Sequence, residues 1–149
     1  MARSYKELEI YRLAYGFVTQ LYPYIDKFPE SEHRNLVIQM KRCAVSIPLN
    51  IAEGSSRRTD RQFLVFLDYA FGSAKEMEVT LELSKDLGFL KEDDYKIIYE
   101  DLQKFIAKLV LFSRYLEKGV PRTKDVLTNK ILRAGVSALD VLVPSTATT

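Results

Sequence analysis

Arg57, Arg58 and Arg61 fall within one short stretch, with Ser55, Ser56 and Thr59 before and among them. Guanidinium forks make paired, charge-assisted hydrogen bonds to phosphate oxygens, and hydroxyl groups can add donors. The chemistry on offer is contact with the backbone of RNA or DNA, which needs no particular base sequence. Arg34 and Lys41 extend the basic character upstream. From Arg34 to Arg61 the chain carries six basic residues (Arg34, Lys41, Arg42, Arg57, Arg58, Arg61) against the two acids Glu53 and Asp60. From Met1 to Lys118 it carries 18 basic and 18 acidic residues, so this positive sector sits on a neutral body. Such a distribution permits a local phosphate contact and argues against binding driven by net charge. An unbroken helix from Arg34 to Arg57 would hold the two roughly 35 Å apart at about 1.5 Å per residue, so one copy offers only a small patch. Repeated copies would gain avidity on a long polyanion.

A second cluster surrounds Pro48, which lies inside a segment that reads as helical on both sides. Proline there removes a backbone donor and strips the carbonyl of Ala44, so a bend is expected, with Ser46, Asn50 or water serving the freed oxygen. Arg42 and Glu53 are eleven residues apart and share a helix face, while Asn50 and Glu53 are neighbours three apart. The expectation is a structural polar network of Arg42, Ser46, Asn50 and Glu53 that brackets the Pro48 kink.

Catalytic and metal chemistry find less support. Glu30 and His33 have E-x-x-H spacing, but a di-iron bundle needs two such motifs and two further glutamates, and His33 is the only histidine. A single histidine and a single cysteine make a triad or a Cys-His pair hard to assemble. Glu78 with Glu82, and Glu76 beside Lys75, read as solvated charges, and Glu53-Gly54-Ser55-Ser56 lacks the spacing and lysine of a phosphate loop. No enzyme activity, metal or cofactor is expected.

Elements that would position these residues follow from apolar spacing. Ser4 and Glu7 form an S-x-x-E box that predicts a helix from about Tyr5, with Leu8, Tyr11, Tyr15, Val18, Tyr22 and Ile25 as its stripe. Pro23 should weaken its end. A second helix should begin near Pro29 to Ser31 and end near Gly54, with Leu36, Met40, Cys43, Ile47 and Ile51 inward. Val37, Ala44 and Ala52 widen that stripe, which fits either a subunit interface or a central place within one bundle. Thr59 and Gln62 predict the start of a third helix with core positions Phe63, Leu67, Ala70, Ala74, Met77, Leu81 and Ser84, and Gly88 its stop. Glu92 to Asp94 open a fourth, with Tyr95, Ile98, Leu102, Phe105, Leu109, Phe112 and Leu116. The fold class is all-α, an antiparallel up-down-up-down four-helix bundle over residues 1–118 with a C-terminal extension over 119–149 that is expected to be partly disordered or to form a short helix around 125–133.

At 149 residues, 47% apolar and 28% charged, the chain is large enough for one packed domain. No run is long enough to span a membrane, and MARSYKELEIYRLAY lacks an apolar signal core, so a cytoplasmic location is expected. Cys43 reads as a small buried hydrophobe.

SIPLNIAEGSSRRTDRQF, continued by FLDYAFGSAKEMEVTLELSKDLGFL, resembles the core signature of the bacterial four-helix-bundle proteins encoded in intervening sequences of 23S ribosomal RNA genes. The resemblance runs from about Tyr5 to about Glu117, taking in IQMKRCAVSIP and KEDDYKIIYEDLQKFIAKLVLFSRYLE. That family is similar in fold to the accessory proteins of diversity-generating retroelements, and the resemblance implies a homopentamer suspected of binding nucleic acid. The expected function is a non-catalytic homo-oligomer, a pentamer by that resemblance, gripping RNA or DNA backbone through Arg57, Arg58, Arg61, Lys41 and Arg34. The alternative is a structural or adaptor protein that binds a protein partner and no nucleic acid.

Overall fold

The computed structural model describes residues 4–119, so the expectations for the tail beyond Gly119, the helix at 125–133 included, lie outside the described residues. Four helices account for most of the described chain: α1 (Glu9–Ile25), α2 (Leu36–Ser55), α3 (Asp60–Asp86) and α4 (Glu92–Gly119), with 3-10 turns at Tyr5–Glu7 and Glu30–Glu32. Cross-helix contacts fix their directions. Going down α2 from Met40 to Ser46 to Gly54, the partners on α3 run back from Ser84 to Ser73 to Phe63. On α4, Tyr95, Gln103 and Phe112 likewise meet Lys85, Glu78 and Phe63 of α3. Lys108 of α4 meets Glu9 of α1, and Asp26 just after α1 meets Lys41 of α2. Each neighbour is antiparallel.

Two helix starts differ from the sequence expectation. The Ser4 side chain makes no capping bond; the backbone N–H of Glu7 donates to the Ser4 carbonyl at 3.1 Å and closes a 3-10 turn instead. Leu8 is extended (φ −74°, ψ 124°), so α1 restarts at Glu9 rather than running on from Tyr5. Pro29 to Glu32 likewise form their own turn, and α2 begins at Leu36. The start of α3 follows its motif, with Thr59 Oγ1 accepting from the Gln62 N–H at 3.2 Å. At its end Gly88 takes φ 80°, a conformation glycine adopts without a Cβ penalty. The amides of Phe89 and Leu90 then turn back to the Ser84 carbonyl at 2.8 and 3.0 Å.

The core is one cluster drawn from all four helices. On α2 the expected stripe is buried throughout, and so is the stripe on α3 from Phe63 to Ser84. On α4, Ile98, Leu102, Phe105, Leu109 and Leu116 are buried, with Tyr95 and Phe112 packed at the margin. α1 turns a different face inward: Ile10, Ala14, Phe17, Leu21 and Ile25 are buried, whereas Tyr15 is 56% exposed. Both α1 stripes repeat at three and four, so periodicity cannot choose between them. The aliphatic and phenylalanine set goes inside because a buried tyrosine must find its hydroxyl a partner.

α2 and α3 lie closest together, their backbones in near contact along most of their length. Small residues at the crossing allow this approach. A Cβ on Gly54 would lie 2.6 Å from Phe63 Cδ2 and 2.7 Å from Phe66 Cβ. Val37 and Ala44 are buried inside the single chain, whereas Ala52 is half-buried and borders an open groove, so α2 is central at the first two positions and still presents apolar surface at the third.

Candidate nucleic-acid interface

The α2–α3 turn places three arginines on one end of the bundle, but they are not equivalent. Arg57 pairs through Nη2 with Glu53 Oε1 one turn back, and its guanidinium lies 4.5 Å from the centre of the Phe66 ring. Both contacts hold it against the helix ends. Arg58 and Arg61 are exposed and make no ion pair among the described residues. Of the hydroxyls read as extra donors, Ser55 and Ser56 already give their protons to the Ala52 and Glu53 carbonyls, each at 2.7 Å. They close the end of α2. Thr59 uses its oxygen as an acceptor, which leaves its proton available.

The other basic candidates lie elsewhere. Lys41 sits in the first third of α2 on its α1 side, bonded to Asp26 at 2.7 Å and 5.0 Å from the centre of the Tyr22 ring. Arg34 is exposed before α2, at the opposite end of that helix from the arginine turn. The structure therefore does not gather the five into one patch; it gathers Arg57, Arg58 and Arg61 and leaves the other two apart.

The polar network also differs in membership. Asn50 donates both protons of its amide to Ser46, to the carbonyl at 2.9 Å and to the hydroxyl at 3.0 Å. The Ser46 hydroxyl meets that of Ser73 on α3 at 2.9 Å. Ser46, Asn50 and Ser73 thus join α2 to α3 beside Pro48, through which α2 continues without ending. Arg42 and Glu53 are not part of it: Glu53 pairs with Arg57, and Arg42 is exposed. Eleven residues along one helix amount to about 16 Å, beyond the reach of the two side chains. Ser73 was not among the expected members, because its role depends on which turn of α2 it faces.

Of the carboxylates read as solvated, Glu78 is engaged in packing while Glu76 stays exposed. Glu78 is buried, pairing with Lys75 on its own helix and accepting from Gln103 of α4. Glu76 accepts from Cys43 Sγ at 3.1 Å. The glutamates of the E-x-x-H run lie in the 3-10 turn, while His33 Nε2 lies 3.0 Å from the Phe28 carbonyl. Among the described residues no group of three possible ligands converges on a metal position.

Burial, then the hydrogen bond to Glu76 and its negative charge, push the Cys43 thiol up to about 12 from a free value of 9.0. Below 9.0 both folded and unfolded chains keep this proton, and the thiol adds no pH dependence. Between 9.0 and about 12 the unfolded chain releases a proton that the native chain holds, so this contribution to stability is lost as pH rises through that window. Near neutral pH a thiol reagent is expected to leave Cys43 unmodified in the native protein and to react fully in denaturant. Rapid native labelling would show that this helix junction opens.

Among the described residues, apolar side chains stay exposed along the outside of α3 and line a groove between α1 and α2. Val65, Tyr69, Val79, Leu83 and Leu87 are 45–59% exposed, with Gly72 and Glu76 in the same row along the outside of α3. Between α1 and α2 a groove of about 370 Å³ is walled by Tyr5, Tyr11, Tyr15, Val45, Pro48 and Leu49. Tyr5 and Tyr11 rings meet edge-on at 4.7 Å and Tyr11 and Tyr15 at 6.1 Å. Burial, reinforced by those two neighbouring rings, raises the Tyr11 phenol above its ordinary value.

The described residues define a small all-α antiparallel bundle with a basic turn at one end and exposed apolar side chains on its outside. The sequence model of the 23S rRNA-intervening sequence proteins matches residues 6–111, and the chain belongs to that family. Among solved structures it is similar to a protein of unknown function from the S23 ribosomal protein family of Bacteroides thetaiotaomicron VPI-5482. The TM-score is 0.63 at 22% identity, over 70% of this chain and 97% of that one, a likeness of fold. No protein with a curated description matches. No helix among the described residues is long and apolar enough to cross a membrane.

Proposed function

We propose that this protein is a non-catalytic, self-associating helical bundle that holds the phosphate backbone of RNA or DNA at the α2–α3 turn. The observation that carries this reading is the contrast within the turn: Arg57 is fixed by Glu53 and Phe66, while Arg58 and Arg61 project from the same corner without an internal counterion among the described residues. Arg58 and Arg61 offer open guanidinium forks to phosphate oxygens, beside an Arg57 whose charge is already met by Glu53. Lys41, engaged by Asp26, and Arg34, at the far end of α2, contribute little to that site.

Self-association multiplies the corner. The outer row of α3 supports a homo-oligomer, and a pentamer is the number the family resemblance implies. Replacing Arg57, Arg58 and Arg61 together by alanine should weaken binding of a generic RNA. The slope of log affinity against log salt should become shallower by about 0.7 for each arginine that engages a single strand. Titrations at several salt concentrations decide it. Equal affinity and slope for wild type and triple variant would remove the site.

A further inference from the structure

The groove between α1 and α2 and the outer row of α3 are both apolar, but their chemistry differs. The α3 row is mainly aliphatic, the composition of a surface meant to be dried by another protein. The groove is floored by Val45, Pro48 and Leu49 and walled on the α1 side by Tyr5, Tyr11 and Tyr15. Tyrosine gives a flat apolar ring with a hydroxyl tip that stays wet, which suits a ligand with both flat faces and polar edges. Val45 and Leu49 also border a second, shallow hollow lined by Lys41, Arg42, Ser46 and Asn50. Arg42 is exposed there and makes no ion pair among the described residues. Asn50 commits both amide protons to Ser46, so its carbonyl oxygen is the part left as an acceptor.

An aromatic wall beside a hollow that carries the open Arg42, with Lys41 already met by Asp26, is an arrangement that takes a single-stranded polynucleotide, a base on a ring and a phosphate on the guanidinium. A paired duplex keeps its base faces covered and cannot use the wall. We propose that the α1–α2 groove binds unpaired bases of a single strand, stacked on Tyr15 beside Leu49, with Arg42 taking a neighbouring phosphate. Leu49 and Arg42 lie seven residues apart on α2, about 10 Å along its axis, which a short extended stretch of nucleotides spans. This rests on the backbone-binding reading and deepens it: the arginine turn is indifferent to strandedness, and the groove selects unpaired segments.

The test compares a short oligouridine with the same strand paired to oligoadenine, by fluorescence anisotropy, for wild type, Tyr15→Ala, Tyr15→Phe and Arg42→Ala. Tyr15 is 56% exposed, so its truncation leaves the core intact, and the far-ultraviolet helical signal verifies that. Tyr15→Ala should lose roughly five- to one-hundredfold affinity for the single strand, the worth of one stacked base, and none for the duplex. Tyr15→Phe should retain it, and Arg42→Ala should flatten the salt slope. The chain has no tryptophan, so tyrosine emission reports stacking directly, and oligouridine should quench it in wild type more than in Tyr15→Ala. Unchanged single-strand affinity in Tyr15→Ala overturns the groove proposal and leaves the arginine turn standing. A lower assembled mass with RNA affinity preserved also overturns it, by making the groove a subunit contact. Absence of any binding by wild type removes both.

Discussion

Replacing Val79 and Leu83 by aspartate is expected to reduce the protein to single chains of 17.2 kDa, against a multiple of that mass for wild type. Both positions lie on the outside of α3, at 55% and 47% exposure, and their removal takes nothing from the bundle's own core. Each is already about half covered within the single chain, so covering the remainder against a partner contributes about 1 kcal/mol, half of what full burial of such a side chain gives. An aspartate inside the same contact adds an unpaired buried charge, a penalty of several kcal/mol per ion. Because every copy carries both changes, the cost recurs at every interface, and association at micromolar concentration should disappear. Light scattering measures the mass, and the helical signal at 222 nm verifies that the chain is still folded. A wild type that already weighs one chain, or a variant that keeps the assembled mass, would move the contact away from this row. Loss of assembly should also lower affinity for a long RNA more than for a short one, since avidity depends on copies reaching the same strand.

This row shows how legibility depended on what the spacing had to decide. Phe63, Leu67, Ala70, Ala74, Met77, Leu81 and Ser84 were readable as the inner face of α3, and all are buried. Val65, Tyr69, Gly72, Glu76, Val79 and Leu83 repeat with the same threes and fours on the opposite face, a signal present in the sequence but hidden behind the stronger one. α1 shows the same ambiguity resolved the other way: two adjacent stripes compete, and tertiary packing selects the one without hydroxyls. Helix ends were readable where a side chain acts on its own neighbours, as Thr59 does on Gln62. At Ser4 the same pattern fails, because Leu8 takes an extended conformation that local rules do not foresee. The arginine turn was legible as composition. That Arg57 is pinned to Glu53 and Phe66 while Lys41 is engaged by Asp26 depends on the α1–α2 and α2–α3 packing, which no spacing states.

The second large effect concerns the junction that holds this turn in place. Phe63 is 1% exposed, lies against Gly54, and packs edge-on to Phe112 of α4 with ring centres 5.8 Å apart. Truncating it to alanine should cost about 3–5 kcal/mol, because the ring fills the space where three helices meet. Gly54→Ala attacks the same place from the other side. Its new methyl would overlap Phe63 Cδ2 at 2.6 Å and Phe66 Cβ at 2.7 Å, and overpacking of this kind costs about 1–3 kcal/mol. The better helix propensity of alanine returns only about 1 kcal/mol of that. The two changes should not add. Removing the Phe63 ring relieves part of the clash while leaving the Phe66 contact, so the double variant should be less destabilised than the sum of the singles by about 0.5–3 kcal/mol. Urea denaturation of the four species gives that coupling directly. Strict additivity would mean that α2 and α3 separate when the methyl is introduced, and that the close approach at Gly54 does not fix the arginine corner.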